Sequence, residues 1–205
     1  MVEILKKIES LYEPDPRVTC IHTYDKTLGG YRPQIIEDYY KTASSIHVNS
    51  TVPDSVQSMI AIALNMWMYS WFYYPLNCEA GYLAIRALEN ALKCALNRNK
   101  GGLSGLLNDA IQNNLIKEEN ITRGEIPKEL TDFFKKKAGS GYKEPEDTFM
   151  KDLPKSTASY RNAMAHGDLS INPYGMKDIL FAVEVINQLF PVSDIDEKKI
   201  PISDL

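Results

Sequence analysis

The sequence predicts an all-α protein, an up-and-down helical bundle with an irregular N-terminal extension. Three observations predict it. From Asp54 to Phe190, apolar residues recur at helical 3–4 spacing in one segment after another. Residues 13–53 are instead broken by the turn signals "EPDP", "LGG", "RP" and "TVPD". The 205-residue chain is 44% hydrophobic and 24% charged, ordinary values for a globular protein with a proper core, and no internal repeat is apparent. The expected organisation is an extension over 1–53, a bundle over 54–190 and a flexible tail over 191–205.

Taken in order, residues 2–12 read as a short amphipathic helix. In "RVTCIHTY", Val18, Cys20, His22 and Tyr24 alternate with Arg17, Thr19, Ile21 and Thr23, which suits a short strand that "DKTLGG" can turn into a hairpin. A further short helix fits residues 34–44. The run "VQSMIAIALNMWMYSWFYY" (56–74) approaches the length of a membrane span. Gln57, Ser58, Asn65 and Ser70 interrupt it, and no Lys/Arg cluster flanks it. A buried bundle helix, capped by Asp54 or Ser55 and stopped near Tyr74 by Pro75, explains it better.

The next helix carries Ala84, Ile85, Leu88, Ala91, Leu92, Ala95 and Leu96 on one stripe, with Gly101-Gly102 as its expected end. Leu103, Leu106, Leu107, Ile111 and Leu115 repeat the pattern. A shorter helix over 127–137 starts at Pro127, a favourable first-turn position, and "KKKAGSGYKEPED" reads as a loop. A helix beginning around Lys151–Lys155, with Pro154 in its first turn, contains "YRNAMAHG". The closing helix places Met176, Ile179, Leu180, Val183, Ile186 and Phe190 on one face, and the proline-punctuated tail reads as loose.

Composition narrows the function classes. A net charge of −4 gives no global positive field to advertise nucleic-acid binding, but leaves room for an enzyme that holds its polymer briefly. Cys20, Cys78 and Cys94 show neither CxxC spacing nor a matching histidine pair, so a zinc site or disulfide framework is not expected. A reducing cytoplasmic location follows, and the N-terminus lacks the apolar core of a signal peptide. No P-loop, GxSxG, HExxH or carboxylate cluster suited to a metal is present, so no cofactor is expected.

The informative segment is "YRNAMAHG". At about 100° per residue, Tyr160, Ala163, Met164 and Gly167 form the expected buried stripe. Asn162 and His166 are four apart and project as neighbours beside it. Arg161 lies roughly 140° from His166, so only its long side chain or a distorted last turn brings the guanidinium to the imidazole. Gly167 supplies a left-handed stop. The histidine then ends the helix at the negative end of its dipole, a place that favours positive charge. A guanidinium nearby suits phosphate geometry.

This Arg161-Asn162-x-x-x-His166 pattern resembles the HEPN superfamily, in the R-N-x-x-x-H form of its R-x4–6-H signature. The resemblance covers roughly residues 54–190, through "IRALENALKCAL", "GLLNDAIQNNLI", the motif helix and the closing helix. It implies an all-α bundle that often dimerises, with two motif helices meeting across a shared cleft. In active members the motif serves metal-independent RNA cleavage, commonly in toxin–antitoxin or phage-defence settings. Arg161, Asn162 and His166 are then the expected catalytic residues, and RNA, a second copy of the chain and a cognate antitoxin protein the expected partners.

Two other readings stand beside it. One is a non-catalytic HEPN-fold dimer that recruits a protein or nucleotide; the other is a helical protein in which the motif is simply a helix cap. Elsewhere, His22 and His47 read as surface residues, and Arg86 and Glu89 as a solvated helix flank. Lys135, Lys136 and Lys137, with Arg98 and Lys100, form local positive clusters in solvent. Trp67, Tyr69, Trp71, Phe72, Tyr73 and Tyr74 read as core packing rather than a base-stacking platform.

Overall fold

The computed structural model describes residues 5–122, 148–166, 174–192 and 200–201. The chain runs through β1 (His22–Asp25), β2 (Gly30–Pro33), α1 (Ile36–Ser44), β3 (His47–Val48), α2 (Asp54–Tyr69), α3 (Leu76–Ala95), α4 (Leu103–Gln112), α5 (Phe149–Ala165), α6 (Gly175–Leu189) and β4 (Ile200–Pro201). It is predominantly helical, with a packed helical core. The expected helix at 127–137, the loop after it, Lys135–Lys137 and the Gly167 stop lie outside the described residues.

Small and aliphatic residues alternate along α3, which makes it the central helix. Ala80, Ala84, Ala87 and Ala91 are fully buried, with Ile85, Leu88 and Leu92 between them. The expected stripe is therefore correct as far as Leu92, while Ala95 and Leu96 are only partly covered. The small residues let neighbours approach closely: α3 packs against α2 on one side and α6 on another. Full burial of Ile60, Ile85, Leu88, Leu92, Leu106, Leu107, Ile179 and Ile186 contributes about 1.5–3 kcal/mol each. Asn97, at φ 50°, turns the chain just after α3, so the helix ends before Gly101-Gly102 and not at them.

The hydrophobic helix ends earlier than its composition suggests. α2 stops at Tyr69, and Pro75 stands at the entrance of α3 instead. The Trp71 carbonyl accepts from Asp15 N, and Tyr74 N donates to the Asp15 carboxylate, so tertiary bonds hold 70–74 out of the helix. Its N-cap is Pro53, with no side-chain cap bond from Asp54 or Ser55. No helix among the described residues is long and apolar enough to cross a membrane.

On α6 the buried face is wider than expected. Ile179, Val183 and Ile186 are joined by Ala182, Val185 and Leu189, because this helix meets both α3 and α2, while Leu180 is exposed. α5 begins at Phe149, which puts Pro154 in its second turn and not its first. It packs against α4 and α3 through Leu153, Pro154 and Thr157.

The N-terminal region is more ordered than an irregular extension. Residues 5–12 hold only a 3-10 turn at Ile8–Ser10, not the expected amphipathic helix. The hairpin does form, with Tyr24 paired to Tyr31 and Thr23 to Arg32, but its first strand starts at His22 after a 3-10 turn at Val18–Cys20. α1 falls where a short helix was expected. Val18, Tyr39 and Trp71 make a second buried cluster, in which Tyr39 stacks on Trp67 at 4.5 Å and meets Trp71 edge-on at 5.5 Å. In the tail, expected to be loose, Ile200–Pro201 pairs antiparallel with β3.

Candidate functional site

The last turns of α5 carry the motif. The Arg161 Nε donates to Glu89 Oε2 at 3.1 Å, its Nη2 lies 3.0 Å from the same oxygen, and its Nη1 donates to Asn162 Oδ1 at 3.2 Å. Arg161 and Asn162 are thus joined directly. His166 is the C-cap residue, and its backbone N–H closes the helix on the Asn162 and Ala163 carbonyls. Its ring is exposed, as is the Asn162 side chain. Among the described residues no hydrogen bond links the ring to Arg161, so the motif resolves into a joined Arg161–Asn162 pair and a separate histidine at the helix end.

Glu89 corrects the expectation of a solvated flank. It is only 7% exposed, on the buried side of α3. The Lys93 Nζ donates to its second oxygen, Oε1, at 2.8 Å. Burial pushes the Glu89 carboxyl up, but the Lys93 hydrogen bond and the charges of Arg161 and Lys93 outweigh that and hold it below its ordinary value. The sequence carried a signal for this. Glu89 lies at the edge of the apolar stripe, about 40° from Ile85 and about 60° from Leu92 around the helix, with a lysine four residues on. An acid there must be paired.

Arg86, by contrast, does lie on the exposed side, with its guanidinium over the Tyr82 ring. The buried side of α5 also differs from expectation: Leu153 and Thr157 are buried, and Tyr160, Ala163 and Met164 only partly so. The Tyr160 hydroxyl donates to Asp178 Oδ2 at 3.0 Å, which ties the motif helix to the first turn of α6. There a carboxylate also suits the positive end of the helix dipole.

No protein-family model, curated protein or solved structure matches this chain. The site therefore stands on its own geometry.

The remaining candidates separate cleanly. His22 is exposed. His47 is half-buried in β3, and its Nδ1 is buried without a hydrogen-bond partner, which a surface histidine would not show. Arg98 is engaged by Asp109 on α4 rather than free. Of the aromatic group, Trp71 is buried and Trp67 packs against both core clusters, whereas Tyr69 is exposed. Cys78 is buried; Cys20 and Cys94 are exposed, and none of the three is in a disulfide.

Proposed function

We propose that this chain is a HEPN-type, metal-independent endoribonuclease that acts as a homodimer. The observation that carries the reading is the end of α5: a half-exposed guanidinium fixed to an amide one residue on, then an exposed imidazole at the helix terminus. RNA supplies its own nucleophile, the 2′-hydroxyl. Cleavage then needs a base to take that proton, an acid to protonate the leaving 5′-oxygen, and a cation to stabilise the charged phosphorane.

One imidazole cannot stand on both sides of an in-line displacement. His166 from each of two chains fills both roles, which makes the dimer a chemical requirement. Arg161 clamps the phosphate, and Asn162 orients the guanidinium that it already holds. The motif's resemblance favours a toxin–antitoxin or phage-defence setting in the cytoplasm, with a cognate antitoxin as protein partner.

The test is RNA cleavage in EDTA by the wild type, His166→Ala and Arg161→Ala. Loss in both variants, with far-UV circular dichroism intact, supports the assignment. Activity that survives either substitution removes that residue from the mechanism. A second reading, a non-catalytic dimer that recruits a protein or nucleotide, is favoured by one observation: Glu89 already occupies one edge of Arg161. It expects a stable dimer and no cleavage by the wild type.

A further inference from the structure

We infer that Lys93 is a second phosphate-contacting cation of this site, held beside Arg161 by the carboxylate they share. The inference rests on the nuclease reading for its ligand, the RNA backbone. Its geometry comes from three side chains. Glu89 offers two oxygens and each takes one cation: Lys93 Nζ at 2.8 Å on Oε1, and Arg161 Nη2 at 3.0 Å on Oε2. Two cations on one carboxylate leave a local charge of +1, in a chain whose net charge is −4. Neutralising Glu89 needs only one of them.

The donor count points the same way. A guanidinium has five N–H donors. In Arg161 the Nε hydrogen and one on Nη2 face Glu89, and one on Nη1 goes to Asn162, which leaves one on each terminal nitrogen. An ammonium has three, and Lys93 spends one on Glu89, which leaves two. The Lys93 and Arg161 side chains are 30% and 34% exposed, whereas that of Glu89 is 10% exposed. The carboxylate lies beneath and the part-exposed cations keep donors that no described residue takes up. A phosphodiester brings one negative charge and two non-bridging oxygens, which matches the surplus. Arg161 meets it as a fork and Lys93 as a point charge.

The test uses a short 2′-O-methyl RNA, which lacks the nucleophile, so binding is read apart from cleavage. Fluorescence anisotropy across a salt series is measured for wild type, Lys93→Met and Lys93→Arg. Lys93→Met keeps the apolar stem and leaves Glu89 paired to Arg161. It is expected to weaken binding about fivefold and to lower the slope of log affinity against log salt by about 0.7, while Lys93→Arg retains both. With cleavable RNA, Lys93→Met raises KM more than it lowers kcat. Wild-type affinity and slope in a folded Lys93→Met protein overturn the inference, as does a wild type that binds no oligonucleotide. Binding that depends on Lys93 in a protein that cleaves nothing keeps the inference and ends the nuclease reading. Cleavage that needs Arg161 but is indifferent to Lys93 does the reverse.

Discussion

Glu89 is the residue on which the site's geometry turns. It is buried between a helix partner and a neighbour from α5, and it fixes where the guanidinium stands. Removing its charge leaves both cations without the anion that pairs them. Glu89→Gln is expected to lower stability by about 1–2 kcal/mol at neutral pH, since both cations are part-exposed and solvent screens the pair. Because the folded carboxyl titrates below its ordinary value, its contribution is present above about pH 4.5 and is lost as the pH falls through the folded value. Urea midpoints for wild type and Glu89→Gln should therefore converge on acidification below that point. A gap that stays constant with pH would contradict the pairing. The motif itself was legible as a spacing, since Arg161, Asn162 and His166 are near in sequence. Its connection to Glu89 was not, because spacing says nothing about which distant helix a side chain meets.

At the scale of elements, periodicity read α4 well because its buried residues lie on one helical stripe. On α3 it found the large aliphatic residues but not Ala87 or Glu89, which are buried beyond that stripe because α3 meets several helices. It read α6 less well. Ala182 and Val185 are buried off the expected face because α6 meets two helices, and one-face periodicity cannot express that. The end of α2 was invisible for a different reason: Asp15, more than fifty residues earlier, supplies the bonds that stop it. The α3–α6 contact likewise depends on two residues without side chains. A Cβ on Gly175 would stand 2.0 Å from the Asn77 carbonyl oxygen, a backbone atom of α3. One on Gly81 would stand 2.7 Å from Asp178 Oδ2 and 3.1 Å from the Gly175 Cα. Gly81→Ala is expected to cost about 1–3 kcal/mol, and Gly175→Ala at least the upper end of that range, because its clash is with backbone. Urea unfolding measures both. A Gly175→Ala protein as stable as wild type would mean that the two helices do not approach as described.

For the molecule as a whole, the question is how the N-terminal hairpin and α1 are held to the bundle. The aromatic nest of Tyr39, Trp67 and Trp71 supplies the apolar contact there, and Asp15 supplies a polar one beside it, while Lys6 donates to the Phe72 carbonyl and Asn49 bonds Asn187 farther off. Asp15 is 4% exposed; the Arg17 fork meets both of its oxygens, and Tyr74 N donates to Oδ2. Burial pushes its carboxyl up, but the Arg17 side chain and the backbone N–H groups of Tyr74 and Arg17 outweigh it and bring it down to about 2. A depressed folded value means stability that is present above the unfolded value and lost as the pH falls toward 2. The contribution is about 2 kcal/mol, and its loss falls on the contact between extension and bundle. The chain has two tryptophans, and both stand at that contact, so their emission reports it directly. On acidification from pH 4 toward 2, the emission is expected to shift red. Asp15→Asn keeps the shape but weakens the grip on Arg17, and it should show part of that shift already at neutral pH. In both cases far-UV circular dichroism should lag behind, because the larger core cluster contains neither Asp15 nor Tyr39. If the two signals instead move together at every pH, the N-terminal region and the bundle unfold as one unit, and Asp15 is not the tie between them.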